Sequence, residues 1–75
     1  MPYLDLVRIF TYHPPSPYQA TRYQHLREGA LAFARLIEIN TPESAEQTLA
    51  IRALQQATMW ANAAIAINEP DGAPA

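Results

Sequence analysis

The chain has 75 residues, no cysteine and a net charge of −2. That is enough for one domain and no more, with no disulfide to staple it and too little buried surface to be stable by much on its own. The charge weighs against a general coat for DNA or RNA, which needs a basic surface, but not against a small anionic ligand held in a local pocket.

Residues 1–12 form an arm. Met1-Pro2-Tyr3-Leu4-Asp5 has no charged stretch leading into an apolar run, so it does not read as a signal peptide. No segment reaches the ~18 apolar residues of a membrane span. Cytoplasmic residence fits both observations. Tyr3, Leu4, Leu6, Val7, Ile9 and Phe10 give the arm too large an apolar load to stay in solvent. A short strand and one turn of helix are both open, packed across the rest of the chain or onto a neighbouring copy. The arm ends at Tyr12, followed by a stiff turn, His13-Pro14-Pro15-Ser16.

The first long helix is expected over Pro17 to Ile39. Ser16 suits the N-cap, Pro17 the first helical position, and Gln19 completes a capping box. Tyr23, Leu26, Ala30, Phe33 and Ile37 follow a 3-4-3-4 spacing, which lines up one seam on a helix. Asn40 can close it. Gly29 inside this helix costs about 1 kcal/mol against alanine; close approach of a neighbour and tolerated drift both account for it. The link Asn40-Thr41-Pro42-Glu43 is short, which forces the next helix to lie antiparallel. Thr41 with Pro42, or Ser44 with Gln47, can start that helix.

The second long helix is expected to run to Ile67. Its seam is Gln47, Ile51, Leu54, Thr58, Ala61 and Ile65. The stretch Met59-Trp60-Ala61-Asn62-Ala63-Ala64-Ile65-Ala66-Ile67 is apolar nearly all round. A helix apolar on every face must be buried on every face, and one partner helix covers only a stripe. The fold class is therefore all-α, an antiparallel two-helix hairpin with an N-terminal arm, built into a homo-oligomer. The expected subunit contacts are Phe10, Met59, Trp60, Ala61, Asn62, Ala64 and Ile65. One hairpin domain spans residues 1–68, and residues 69–75 read as a disordered tail.

All five basic side chains are arginine: Arg8, Arg22, Arg27, Arg35 and Arg52. Arginine grips phosphate with a planar fork and stacks on flat rings; a GC-rich genome favours it over lysine as well. Arg22, Arg27 and Arg52 have no acidic neighbour three or four positions away, whereas Arg35 has Glu38. The three are surface residues, partners across subunits or anion ligands. Tyr18 and Tyr23 each lie one turn from an arginine, and Tyr12 sits on the rigid turn, where a nucleobase can stack. Tyrosines that fill a core with the hydroxyl at its edge are the competing reading, favoured for Tyr23 on its seam.

No phosphate loop, nucleophile elbow or zinc-protease string is present, and His13 and His25 have no evident carboxylate partner. The chain reads as a non-enzyme with no metal and no cofactor.

Three strings carry a family likeness: Phe10-Thr11-Tyr12-His13-Pro14-Pro15, Arg27-Glu28-Gly29-Ala30, and Leu54-Gln55-Gln56-Ala57-Thr58-Met59-Trp60-Ala61-Asn62-Ala63-Ala64-Ile65-Ala66. In order and spacing they resemble the small phage proteins of the anti-CBASS cyclic-nucleotide sponge family, whose hairpin domain is shared with Thoeris anti-defence sponges. The Met-Trp-Ala-Asn-Ala string is the most specific part. The resemblance implies a hexamer of helical hairpins, acting in the cytoplasm of the infected bacterial host. It implies pockets between protomers that hold cyclic dinucleotides, with cyclic trinucleotides at separate sites in some members. Binding removes the messenger without turnover, so CBASS effectors stay inactive. The family's stacking tyrosine matches Tyr12. Its basic residue on the first helix, a lysine in one member, has Arg27 as the substitute here. The expected ligand-binding set is Tyr12, His13, Pro14, Arg22, Arg27 and Arg52. Two other readings stay open. One is a purely structural helical oligomer, and the other a hairpin whose arginines grip a nucleic-acid backbone.

Overall fold

A computed structural model describes residues 5–69. Among them are three helices and no strand: α1 (Leu6–Phe10), α2 (Pro17–Asn40) and α3 (Ala45–Asn68). The arm is thus a single turn of helix. Asp5 starts it by accepting from the Arg8 amide, and the Thr11 hydroxyl closes it on the Val7 carbonyl. Tyr3 and Leu4 lie outside the described residues.

α2 starts as its sequence dictates. Ser16 accepts from the Gln19 amide and the Gln19 side chain returns to the Ser16 amide. The exit differs by one position from expectation. Asn40 is the last helical residue and Thr41 the cap, their side chains donating to the Leu36 and Ile37 carbonyls. Thr41 and Pro42 therefore do not open the next helix; Ser44 does, by accepting from the Gln47 amide. Only half of the second capping box forms. The Gln47 amide group crosses instead to the Thr41 carbonyl and hydroxyl, both at 3.1 Å, and ties the two helices at the turn.

At the other end Gln19 and Arg22 of α2 reach Glu69, just past α3. Contacts at both ends make the pair antiparallel over their length, about 36 Å for 24 residues. The α3 seam is half-buried at Gln47, Ile51, Leu54, Thr58 and Ala61, and Ile65 is its one buried apolar residue, at 7% exposure. The α2 seam runs through Tyr23, Leu26, Ala30 and Ile37 but passes over Ala34, leaving Phe33 exposed. Positions 33 and 34 flank the same line, and the smaller residue lets the helices close.

One face of the apolar end of α3 packs on α2 at Ile65, and the described residues leave its other face open. Trp60 is 74% exposed, and Met59 and Phe10 are also open. No helix among the described residues is long and apolar enough to cross a membrane.

Candidate functional site

Two helices packed along one seam leave a furrow on each flank. On one flank Gln24, Arg27, Glu28 and Leu31 recur at helical spacing along α2, facing Ile51, Gln55, Met59 and Asn62 of α3. They enclose an open groove of about 770 Å³, large enough for a ligand of several hundred daltons. The groove runs on into a smaller recess bounded by Tyr23, Ala63 and Ala66, with Arg27 and Asn62 shared by both.

The polar groups of this groove fall into two kinds. Some are satisfied: Gln24 donates to Glu28 at 3.1 Å along the α2 wall, and Gln55 accepts from Arg52 at 2.9 Å. Arg27 is exposed and makes no hydrogen bond or ion pair among the described residues. Asn62 is the anomaly, because its Oδ1 is buried with no partner. An orphaned buried acceptor costs about 1–3 kcal/mol, so its persistence marks a place where a donor is expected. A cation with five free N–H donors and an unpaired acceptor thus share one groove.

The opposite flank is mostly apolar and mixes small residues with larger ones. His25, Leu26, Gly29, Phe33, Ala57 and Ala61 line a recess of about 350 Å³. A Cβ at Gly29 would meet nothing within 4 Å, so nothing in the single chain requires glycine there.

The remaining expected ligands lie elsewhere. Arg22 is not unpaired: its two terminal nitrogens hold the Glu69 carboxylate at 2.7 and 3.1 Å, and its guanidinium lies 5.2 Å from the Tyr18 ring centre. The hydrogen bond from Arg22 holds the Glu69 carboxyl below the usual carboxylate range, against the opposing effect of burial. The same bond raises Arg22 in turn. The acid that pairs with Arg22 is 47 positions away, out of reach of any helical spacing rule. Glu69 is also not part of a free tail; it caps α3, with its amide donating to the Ile65 carbonyl. Residues 70–75 lie outside the described residues. Arg35 and Glu38 form no ion pair; among the described residues Arg22–Glu69 is the one that does. Arg52 donates through Nη1 to Gln55 of the groove wall but does not itself line the groove.

Tyr12 is 80% exposed and Pro14 is open, while the His13 ring bonds the Arg8 carbonyl at 3.0 Å. None of the three lines any of these grooves. Within one chain, then, Arg27 and Asn62 come together, and Tyr12 stands apart from both. Of the expected subunit contacts, Phe10, Met59, Trp60 and Ala64 are exposed, Ala61 and Asn62 half-buried, and Ile65 covered by its own hairpin. That Asn62 and Arg27 line one groove is not anticipated from sequence, although 55, 59 and 62 share a face of α3 as 24, 27 and 31 share one of α2. No group of His, Cys, Asp or Glu among the described residues is placed to hold a metal ion.

No curated protein and no solved structure matches the chain. The family described as Acb2/Tad1, hairpin domain, matches residues 4–66, most of its length. With an all-helical hairpin beneath that match, the chain belongs to the Acb2/Tad1 hairpin family, the family of anti-CBASS and Thoeris anti-defence sponges.

Proposed function

We propose that this protein sequesters cyclic oligonucleotide messengers in the cytoplasm of the infected bacterial host and does so without altering them, which keeps CBASS effectors inactive. Cyclic dinucleotides are the first ligand class, and cyclic trinucleotides at a separate site the second. Family membership carries the reading. The Arg27 groove supports it, since an unpaired guanidinium suits a phosphate and an unpaired buried acceptor suits an amino or imino N–H of a base.

The site is completed by a second copy. Tyr12 precedes α2, whereas Arg27 lies ten residues into it, about 15 Å along the axis. None of the three grooves among the described residues holds both. A ring stacked on Tyr12 of one protomer and gripped by Arg27 of another uses both residues and accounts for the bare apolar surface around them. A hexamer is the expected assembly.

A structural helical oligomer with no nucleotide ligand is the second reading, favoured by the exposure of Phe10, Met59 and Trp60. Native mass spectrometry with and without a panel of cyclic di- and trinucleotides separates the two. Uptake of whole numbers of one ring per oligomer, released intact on denaturation, is the expected result. An oligomer that takes up none of the panel leaves the structural reading.

A further inference from the structure

The C-terminal end of α3 is held by side chains from three other places. An α-helix leaves its last carbonyls unpaired. Here the Arg8 Nε donates to the Ile67 carbonyl at 2.8 Å, and the Gln19 side chain donates to the Glu69 carbonyl at 2.8 Å. Arg22 takes the Glu69 carboxylate with both nitrogens. Gln19 is the one buried polar residue among those described, at 3% exposure, and it also accepts from the Ser16 amide at 3.1 Å. Two arginines at this end also complement the negative pole of α3, which offsets the cost of a carboxylate there.

These contacts bracket the Tyr12 turn. Arg8 fixes the chain just before it and Ser16, through Gln19, just after. Between the two anchors His13 bonds back to the Arg8 carbonyl, and Pro14 and Pro15 have fixed φ. The Tyr12 side chain makes no hydrogen bond to the anchors and is 80% exposed, so its place is set by how firmly both ends are held.

We propose that Gln19, Arg22 and Glu69, together with Arg8 on the Ile67 carbonyl, form a clasp that positions the Tyr12 turn for ligand. Arg22 is on this account a positioning residue rather than a ligand. The importance of Tyr12 rests on the proposed function; the ordering of the arm by the clasp does not.

The test compares the full chain with Glu69→Ala, Arg8→Met and the charge reversal Arg22→Glu with Glu69→Arg. Millisecond hydrogen exchange is read at Ile9–His13 and, as an internal control, at residues 23–37 of α2. In Glu69→Ala and Arg8→Met the arm amides are expected to exchange about tenfold faster, the effect of losing a charged hydrogen bond, with the control unchanged and the oligomer mass preserved. The reversal is expected to restore arm protection. For a cyclic dinucleotide that the native protein takes up, the association rate is expected to fall about tenfold and the dissociation rate to hold, because fewer molecules present a competent turn. Unchanged arm exchange in both single variants would overturn the clasp, as would an equal rise in arm and control. Native protein that binds no cyclic nucleotide would overturn the proposed function, while the exchange comparison would still decide the clasp.

Discussion

Arg22 and Glu69 meet fork to fork across 47 positions of sequence, Nη1 on Oε1 at 2.7 Å and Nη2 on Oε2 at 3.1 Å. Because the carboxyl is held below its ordinary range, the folded chain binds its proton more weakly than the unfolded one. The pair therefore stabilises the fold fully above the ordinary glutamate value, about 4.3, and that contribution is lost as pH falls through the lowered native value. Thermal melts from pH 7 to pH 3 should show this decline, and Glu69→Gln should remove the corresponding part of the slope.

Tyr12 and Arg27 should separate by kind of loss. Tyr12→Ala should weaken cyclic-dinucleotide binding by about 1–3 kcal/mol, the worth of one base stacked on an aromatic ring, with the oligomer intact. Arg27→Lys should keep part of the affinity that Arg27→Ala loses, since lysine retains the charge and not the planar fork. Titration calorimetry on the three variants checks both statements.

Asn62 allows a sharper contrast. Its buried Oδ1 has no partner, so Asn62→Leu removes an orphaned acceptor worth about 1–3 kcal/mol. The ligand-free variant should melt no lower than the native protein and should still lose ligand uptake. A variant that binds ligand normally would take Asn62 out of the site.

Gly29→Ala should raise the melting temperature, by up to about 1 kcal/mol of helix propensity, because a Cβ there meets nothing in its own chain. A lowered melting temperature would place a neighbouring copy against the His25–Phe33 flank.

Trp60 is the only tryptophan and stands 74% exposed on the single hairpin. In an oligomer that covers it, emission should be blue-shifted and should move to the red on dilution. Trp60→Glu should lower the mass measured by light scattering toward 8.4 kDa, with loss of helical signal.

Much of the fold was legible because its signals are local. Ser16 with Gln19 marks the start of α2, Ser44 with Gln47 is one of the two starts the sequence leaves open for α3, and the short link fixes their antiparallel course. What escaped depends on the approach of distant parts. Spacing places residues 33 and 34 almost equally well on a seam, and only the helix crossing selects Ala34. Arg22 has no acid nearby in sequence, and Glu69 sits in a polar, proline-containing stretch that reads as tail, so neither announces the other. The groove is less legible: lack of a local acid sets Arg27 apart no more than Arg22 or Arg52, and Asn62 reads with the apolar surface around it. An unsatisfied carbonyl oxygen is visible only once its neighbours are in place.

Among the described residues Ile65 is the one apolar side chain that the hairpin buries, and even it keeps 7% of its surface exposed. In the proposed oligomer, a fold with so little interior of its own would draw its persistence from its neighbours, and its stability would rise with the number of copies in the cell. That assembly would have a threshold dose: below it, single chains would expose their tyrosine and arginine to no purpose, and above it shape, lifetime and binding capacity would arrive together.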